Sequence, residues 1–306
     1  MKMHPFNLIV ILGPTATGKT RVGVRVARSL DGEIISADSR QVYQGMDLGT
    51  GKDLGEYGEI PYHLIDIKNP GEEFNVFEFK QAFVQASHSI QSRGKLSLLV
   101  GGTGLYLEAV LLGYQLPEVP EDPAFHKELS ASSMADLCER LKRTKPELHN
   151  TTDLTDRRRL TRALEIAEFT LKVPPPRVDP PELKPVVFGI QWDRQVLRQR
   201  ITQRLKERIN GGMIAEVKTL LEAGLSYEKL DFYGLEYRYA ALYLKGELNR
   251  NDMFQKLNSA IHQFAKRQET WFRRLERKGV EIHWVEGNRE PADAILKFIR
   301  DLAPVL

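Results

Sequence analysis

One short stretch constrains this chain more than any other: Gly13, Pro14, Thr15, Ala16, Thr17, Gly18, Lys19 and Thr20. It matches the phosphate-loop pattern G-x-x-x-x-G-K-[ST] and sits between a strand and a helix, as that pattern requires. Residues 8–12 before it are continuously apolar, as in a strand buried on both faces. Residues 20–30 after it carry Val22, Val26 and Leu30 at helical spacing. The glycines let the backbone curl so that its amides point inward. The helix start adds partial positive charge, Lys19 adds a full one, and the Thr20 hydroxyl can ligate magnesium. From average residue usage, four such defined positions arise by chance in about one percent of chains of this length. The loop therefore binds a di- or polyphosphate.

The rest of the chain continues the same alternation. Residues 33–36, 62–67 and 96–100 read as further strands, with a helix over 76–93 capped by Asn75 and backed by Phe74. The strand at 96–100 runs into Gly101-Gly102-Thr103-Gly104 and another helix. After Gly113 the pattern changes. Pro117, Pro120 and Pro123 mark an exit, and Pro174, Pro175, Pro176, Pro180, Pro181 and Pro185 mark a return. Between them only helices are expected, at 134–143 and 156–171. Residues 186–190 resume the sheet, followed by helices at 194–210, 213–223 and 252–278 and a last strand at 280–285. The long helix carries Phe254, Leu257, Ile261, Phe264, Trp271 and Leu275 as its apolar stripe. The expected fold class is α/β, a P-loop NTPase-like parallel sheet flanked by helices. Residues 1–115 and 186–306 form the catalytic core, and 116–185 form a helical insertion domain bounded by proline-rich hinges.

Composition narrows the class. At 42% apolar and 28% charged residues, the chain has an ordinary globular make-up, and no apolar run approaches the length of a membrane span. The apolar start reads as the first buried strand rather than a signal peptide. Cys138 is the only cysteine, which excludes a disulfide framework and a cysteine-based zinc site. A cytoplasmic enzyme is expected. Net charge is only +3, but residues 194–278 hold 18 Lys and Arg against 10 Asp and Glu. That local excess suits a polyanionic partner, with a long solvated helical region as the alternative.

A phosphate loop does not say what becomes of the phosphate. Hydrolysing NTPases place an acidic residue at a strand end to hold magnesium. Here the strand at 96–100 ends in Gly101-Gly102-Thr103, with no carboxylate. Asp38, after the second strand, is the carboxylate best placed near the loop, because both lie at the carboxyl edge of a parallel sheet. It can serve as base or ligand, or simply hold its own turn.

Several further segments, in order, carry a resemblance. They are Ser36-Ala37-Asp38-Ser39, Tyr43-x-Gly45-Met46-Asp47-Leu48-Gly49-Thr50, His63-x-x-Asp66-Ile67 and Val100-Gly101-Gly102-Thr103-Gly104-Leu105-Tyr106. Arg158-x-x-x-Arg162-Ala163-Leu164-Glu165 and Ala265-Lys266-Arg267-Gln268-x-Thr270-Trp271-Phe272-Arg273 follow. With the phosphate loop, this set resembles the tRNA dimethylallyltransferase (isopentenyltransferase) family over nearly the whole chain.

The resemblance implies a reaction in which diphosphate leaves rather than being transferred. A dimethylallyl group would pass from dimethylallyl diphosphate to the exocyclic amine of the adenine 3′ of the anticodon. Asp38, Thr103 and Arg204 are the implied catalytic residues, with Asp38 accepting from the amine and Arg204 gripping the diphosphate. Residues 13–20 would hold the diphosphate, and Mg2+ would be bound through Thr20. The implied tRNA-contacting residues are Asp38, Ser39, Arg40, Gln41, Gly104, Lys127, Arg158, Arg159, Leu160, Thr161 and Arg162. The partners are the tRNA anticodon stem-loop and the prenyl diphosphate, acting on a monomer away from any membrane. At 232–238 the sequence departs from the family, with Glu236 where many members carry arginine, and no tRNA contact is expected there. For Arg200 and Arg204 read without the resemblance, a surface charge pair is the alternative; for Trp271, core packing is expected. Two other functions fit the loop: a nucleotide or small-metabolite kinase with the insertion as its lid, and an RNA-binding switch gated by nucleotide.

Overall fold

β-Branched and leucine residues fill Leu8–Leu12 (β1), and every side chain in it is buried. In the computed structural model, which describes residues 5–114, 119–120, 122–145, 154–173 and 182–302, this strand lies inside a sheet. The other strands are Gly32–Ala37 (β2), Tyr62–His63 (β3), Leu96–Gly101 (β4), Pro185–Gln191 (β5) and Ile282–Glu286 (β6). They form one six-stranded sheet in the order β3-β2-β4-β1-β5-β6, parallel at every pairing. Leu12 is in register with both Gly101 and Gly189, and Ala37 also pairs Gly101. The carboxyl ends of β1, β2, β4 and β5 thus finish close to level, which sets a common edge for the site.

The helices are Lys19–Leu30 (α1), Val76–Ser92 (α2), Gly104–Leu111 (α3), Pro123–Ser130 (α4), Met134–Thr144 (α5) and Arg157–Lys172 (α6). Arg194–Asn210 (α7), Met213–Glu222 (α8), Tyr227–Phe232 (α9), Leu235–Leu244 (α10), Arg250–Arg277 (α11) and Pro291–Leu302 (α12) follow. The two-residue alternation of β1 sorts its side chains between two cores. Ile9 and Ile11 pack with Val22 and Val26 of α1 and with Ile295 and Ile299 of α12. Leu8, Val10 and Leu12 face Phe79 and Phe83 of α2, Tyr106 and Leu107 of α3, and Phe272 and Leu275 of α11. A third cluster joins Leu197, Ile201 and Leu205 of α7 to Leu257, Ile261 and Ala265 of α11, with Ala16 of the phosphate loop among them.

Most sequence signals have local causes visible in the structure. Asn75 caps α2 through the amides of Phe77 and Glu78, and Glu78 reciprocates in a capping box. The strand expected over 62–67 stops after His63, because Leu64 and Asp66 adopt left-handed φ values of 63° and 56°. On α11 the buried stripe runs Met253, Leu257, Ile261, Ala265, Gln268, Phe272 and Leu275. Phe264, expected in that stripe, is instead 39% exposed under the Arg267 guanidinium. The periodicity set by Leu257 and Ile261 lands on Ala265 and Gln268, one residue away from Phe264. The helices α4, α9, α10 and α12 went unread in the sequence.

The chain divides into two compact units, Met1–Gly113 with Pro181–Leu306, and Tyr114–Pro180. The second unit holds α4, α5 and α6 around Leu129, Leu137, Leu141, Leu160 and Leu164. Of the expected hinge prolines, Pro117, Pro174, Pro175, Pro176, Pro180 and Pro181 lie outside the described residues, whereas Pro123 begins α4 behind an Asp122 cap. No helix among the described residues is long and apolar enough to cross a membrane.

Candidate active site

The phosphate loop is shaped by two left-handed residues, Ala16 at φ 64° and Gly18 at φ 85°. Gly13 is required by a close approach: a Cβ there would lie 2.9 Å from the Ile190 carbonyl oxygen of β5. The Thr17 hydroxyl donates to the Pro14 carbonyl at 2.9 Å, and Lys19 Nζ donates to the same oxygen at 2.8 Å. Lys19 therefore arches over the loop it serves. Burial pushes its pKa down to about 7, with Arg204 adding to the fall and Asp38 opposing it. Tyr57 hydrogen-bonds the Thr20 side chain, and its burial, reinforced by the Asp38 charge, raises its hydroxyl above the usual phenol range.

Asp38 sits just past the end of β2, where Oδ1 accepts the Arg40 amide at 2.9 Å. Thr103, just past the end of β4, ties the two strand ends together. Its amide donates to the Ala37 carbonyl at 3.1 Å, and its Oγ1 accepts the Ser39 amide at 3.0 Å. The expected residues Asp38, Ser39, Thr103 and Gly104 therefore meet at the carboxyl edge beside the loop. Gly104 lies directly under Trp271, where any Cβ would collide with the indole. Gln41 is an internal strut, accepting from Ser36 and donating to the Gly51 carbonyl at 3.1 Å. Arg40 is half-buried, desolvation lowers its pKa, and its guanidinium lies 4.8 Å from the Phe232 ring centroid.

A rigid loop forms the opposite wall. Lys52, with no side-chain exposure, donates to the Tyr43 carbonyl at 2.7 Å, to Asp47 at 2.6 Å and to Asp66. Glu216 of α8 accepts the amides of Asp47, Leu48 and Gly49 and the Tyr237 hydroxyl. The loop so fixed presents Gly51 and Asp53 to α7. Arg204 donates to Asp53 Oδ2 at 2.9 Å and approaches the Gly51 carbonyl at 3.4 Å. One turn earlier, Arg200 donates to the Ala16 carbonyl at 2.9 Å and stacks 4.1 Å from the Trp192 ring centroid. Arg200 is thus tied to the phosphate loop itself, whereas Arg204 pairs with a carboxylate at the surface. One turn later, Arg208 lies 3.9 Å from Glu236. Arg204, Arg208, Glu236, Thr15 and Ala16 line one narrow cleft.

Sequence reasoning left Gln268 without a role. Its Oε1 accepts the Thr15 amide at 2.8 Å, and its Nε2 donates to the Gly102 carbonyl at 2.9 Å. One α11 side chain thus joins the phosphate loop to the end of β4. The signal was a polar residue on an otherwise apolar stripe. Glu216 and Arg208 were likewise unassigned. The Arg200–Arg204 pair was legible, but Arg208 one turn on and the partners of these side chains were not.

The other expected contacts belong to the helical unit. Lys127 is exposed in the last turn of α4. Arg158 and Arg159 are exposed in the first turn of α6. Leu160 has no exposure and packs that unit's core. Thr161 is half-buried. Arg162 donates to the Val119 carbonyl at 2.7 Å and to Glu165. Burial alone would raise the Glu165 carboxyl, but hydrogen bonds from Arg162, the Asp122 amide and His126 hold it below the usual range. Arg157 Nη2 lies 2.7 to 2.9 Å from the carbonyls of Leu129, Ser130 and Ser132, just beyond α4 or at its end.

Comparison with known proteins assigns the chain to a family. The IPP transferase family model matches residues 41–275, and an isopentenyl transferase model matches residues 6–57. The tRNA dimethylallyltransferase 1 of Geotalea uraniireducens is 62% identical, over 96% of this chain and 97% of the relative. The crystal structure of a Bacillus halodurans tRNA isopentenylpyrophosphate transferase superposes with a TM-score of 0.71 at 32% identity, covering 97% and 96% of the two chains. A eukaryotic dimethylallyltransferase solved while acting on tRNA shares the fold, with a TM-score of 0.73 at 23% identity over 92% and 74% of the two chains. A phosphate loop with no carboxylate ending β4, an aspartate across from Lys19, and this sustained similarity lead to one statement: the chain belongs to the IPP transferase family.

Proposed function

We propose that this chain is a tRNA dimethylallyltransferase, moving a dimethylallyl group from dimethylallyl diphosphate to the exocyclic amine of the adenine 3′ of the anticodon. The observation that carries the reading is the placement of Asp38. It acts electrostatically on the half-buried Lys19 of the phosphate loop, whereas β4 ends in Gly101-Gly102-Thr103 with no carboxylate to activate water. A kinase reading lacks a comparable support.

The chemistry follows from these positions. The allylic C–O bond breaks and its electron pair departs on the diphosphate. The loop amides, Lys19 and Arg204 stabilise that developing charge. The adenine amine is a poor nucleophile because its lone pair is delocalised into the ring. As it forms the new C–N bond it gives up a proton, and in this reading Asp38 accepts it. Thr103, fixed to Ser39, keeps Asp38 in register. Water would compete for the electrophilic carbon, so a closed loop wall at Gly51–Asp53 serves the reaction by keeping it out.

The adenine must leave its stack to reach Asp38. Asp38, Ser39, Arg40, Gln41 and Gly104 form the core's share of the tRNA contact. Lys127, Arg158, Arg159, Thr161 and Arg162 form the helical unit's share, with Leu160 supporting them from inside. Magnesium fits the oxygen chemistry at Thr20, beside Tyr57 and Asp38. No group of three or more His, Cys, Asp or Glu side chains that could hold a metal occurs among the described residues, so the ion would depend on diphosphate oxygens as well. When bound, it adds positive charge to the leaving group. A monomer working in the cytoplasm completes the reading.

The test is a paired incubation, with dimethylallyl diphosphate plus unmodified tRNA in one arm and ATP plus nucleosides in the other. Mass detection of prenylated adenosine in the first arm alone is expected. Phosphate transfer in the second, with the tRNA unchanged, overturns the proposal.

A further inference from the structure

Arg200, Arg204 and Arg208 follow one another at four-residue steps along one face of α7. The first two have hydrogen-bonded partners. Arg208 differs. Its side chain is only 11% exposed, and its nearest carboxylate, Glu236, stands 3.9 Å away, beyond hydrogen-bonding reach. Its Nη2 is buried with no hydrogen-bond partner. A guanidinium nitrogen left so is costly unless something else completes it.

The surroundings indicate what completes it. Arg208 and Glu236 line the same cleft as Thr15, Ala16 and Arg204. The tips of Arg204 and Arg208 both crowd Gly51, which has a φ of 66° and no room for a Cβ. Burial pushes Arg208 down to about 10, and the Arg204 charge adds to that shift more than Glu236 opposes it. Burial also raises the Glu236 carboxyl, with Arg208 opposing. Arg204 is already paired with Asp53, whereas Arg208 has no hydrogen-bonded carboxylate, so the demand for an anion oxygen falls on the Arg208 Nη2.

We propose that Arg208 is a second arginine for the leaving diphosphate, with its unpartnered Nη2 taking an oxygen of the group assigned above to the loop and Arg204. Glu236 steers Arg208 while the cleft is empty and yields it when the anion arrives. This rests on the diphosphate reading of the loop and adds to it a residue and its regulator.

Binding of inorganic diphosphate, measured by calorimetry, tests the assignment without needing turnover. Arg208→Met should weaken it by about 10- to 100-fold, the range expected for a charge-assisted hydrogen bond. The KM for dimethylallyl diphosphate should rise in parallel while the KM for tRNA stays constant, and Arg208→Lys should restore only part of the loss. Glu236→Gln should tighten diphosphate binding several-fold, because it releases Arg208. Lower thermal stability in Arg208→Met with unchanged diphosphate affinity would overturn the proposal. If that variant does not fold, unchanged or weaker binding in Glu236→Gln does the same. Prenylation by the wild type alongside normal diphosphate binding in Arg208→Met removes the second arginine but keeps the function. Diphosphate binding that depends on Arg208, without any tRNA prenylation by the wild type, removes the function but keeps the site.

Discussion

Two groups of arginines, each on one helix, do different work in this molecule. On α7, Arg200, Arg204 and Arg208 point inward and meet the phosphate loop, the Gly51–Asp53 wall and Glu236. On α6, Arg157 and Arg162 are bound to backbone carbonyls of their own unit, while Arg158 and Arg159 lie at the surface. Residue type is the same in the two groups, but four-residue steps align the α7 arginines on one face, whereas Arg157, Arg158 and Arg159 are consecutive and spread around α6. The difference is desolvation: a buried guanidinium acts on one anion at short range, whereas an exposed one adds to a field that salt screens.

The comparison predicts that changes at the core edge alter chemistry, and that changes on α6 alter tRNA affinity or the unit's own stability. The largest effect is expected for Asp38→Ala, with single-turnover prenyl transfer falling by roughly 10²- to 10⁴-fold. Filter binding of tRNA should barely change, and normal turnover would remove Asp38 from the mechanism. Arg204→Ala should slow the same step by about 10²- to 10³-fold, the scale of losing one preorganised partner of a developing anion. If Arg204→Ala instead acted only on tRNA affinity, the two helices would not differ as proposed.

Next in size is a stability effect. Arg157→Ala should destabilise the helical unit by about 1–2 kcal/mol, seen as faster hydrogen exchange in α4. Unchanged exchange would show that its three carbonyl partners do not hold α4. Arg158→Ala combined with Arg159→Ala should weaken tRNA binding and lower its salt slope by about one for each phosphate no longer neutralised. Arg162 is a poorer probe, because its hydrogen bonds to Val119 and Glu165 mean its removal would disturb the fold as well. An unchanged slope would mark Arg158 and Arg159 as a solvated face.

The smallest effect concerns protons. Lys19 is held at about 7 in the unliganded site, so above that pH much of it is neutral. A bound diphosphate favours the charged form and raises the pKa, so binding between about pH 7 and 9 should take up as much as one proton. Calorimetry in buffers of different ionisation enthalpy measures the uptake directly. No uptake would mean that Lys19 stays charged in the empty site.

Legibility followed sequence distance. The phosphate loop, the Asn75 cap and the buried runs of β1 and β4 are local signals, and each was readable. Asp38 was legible because parallel strands place the residues after them on one edge. The start of α4 was written in Asp122-Pro123, yet proline was read there as a boundary, although it also favours a first helical turn. Gln268, Glu216 and the Arg208–Glu236 pair could not be read. Their partners lie 253, 167 to 169 and 28 residues away, and no local periodicity encodes such meetings. Phe264 was misplaced because a hydrophobic residue near a stripe resembles one within it, until a polar residue such as Gln268 proves to hold the buried position.

The Gln268 bridge also bears on the order in which the site's parts come together. Thr15 and Gly102 are both made well before the side chain that fastens them, which follows Gly102 by 166 residues and Thr15 by 253. Until α11 has emerged and docked, the rim of the phosphate loop stands without its cross-brace. Completing that rim therefore waits on a long-range contact rather than on the local folding of β1 and α1.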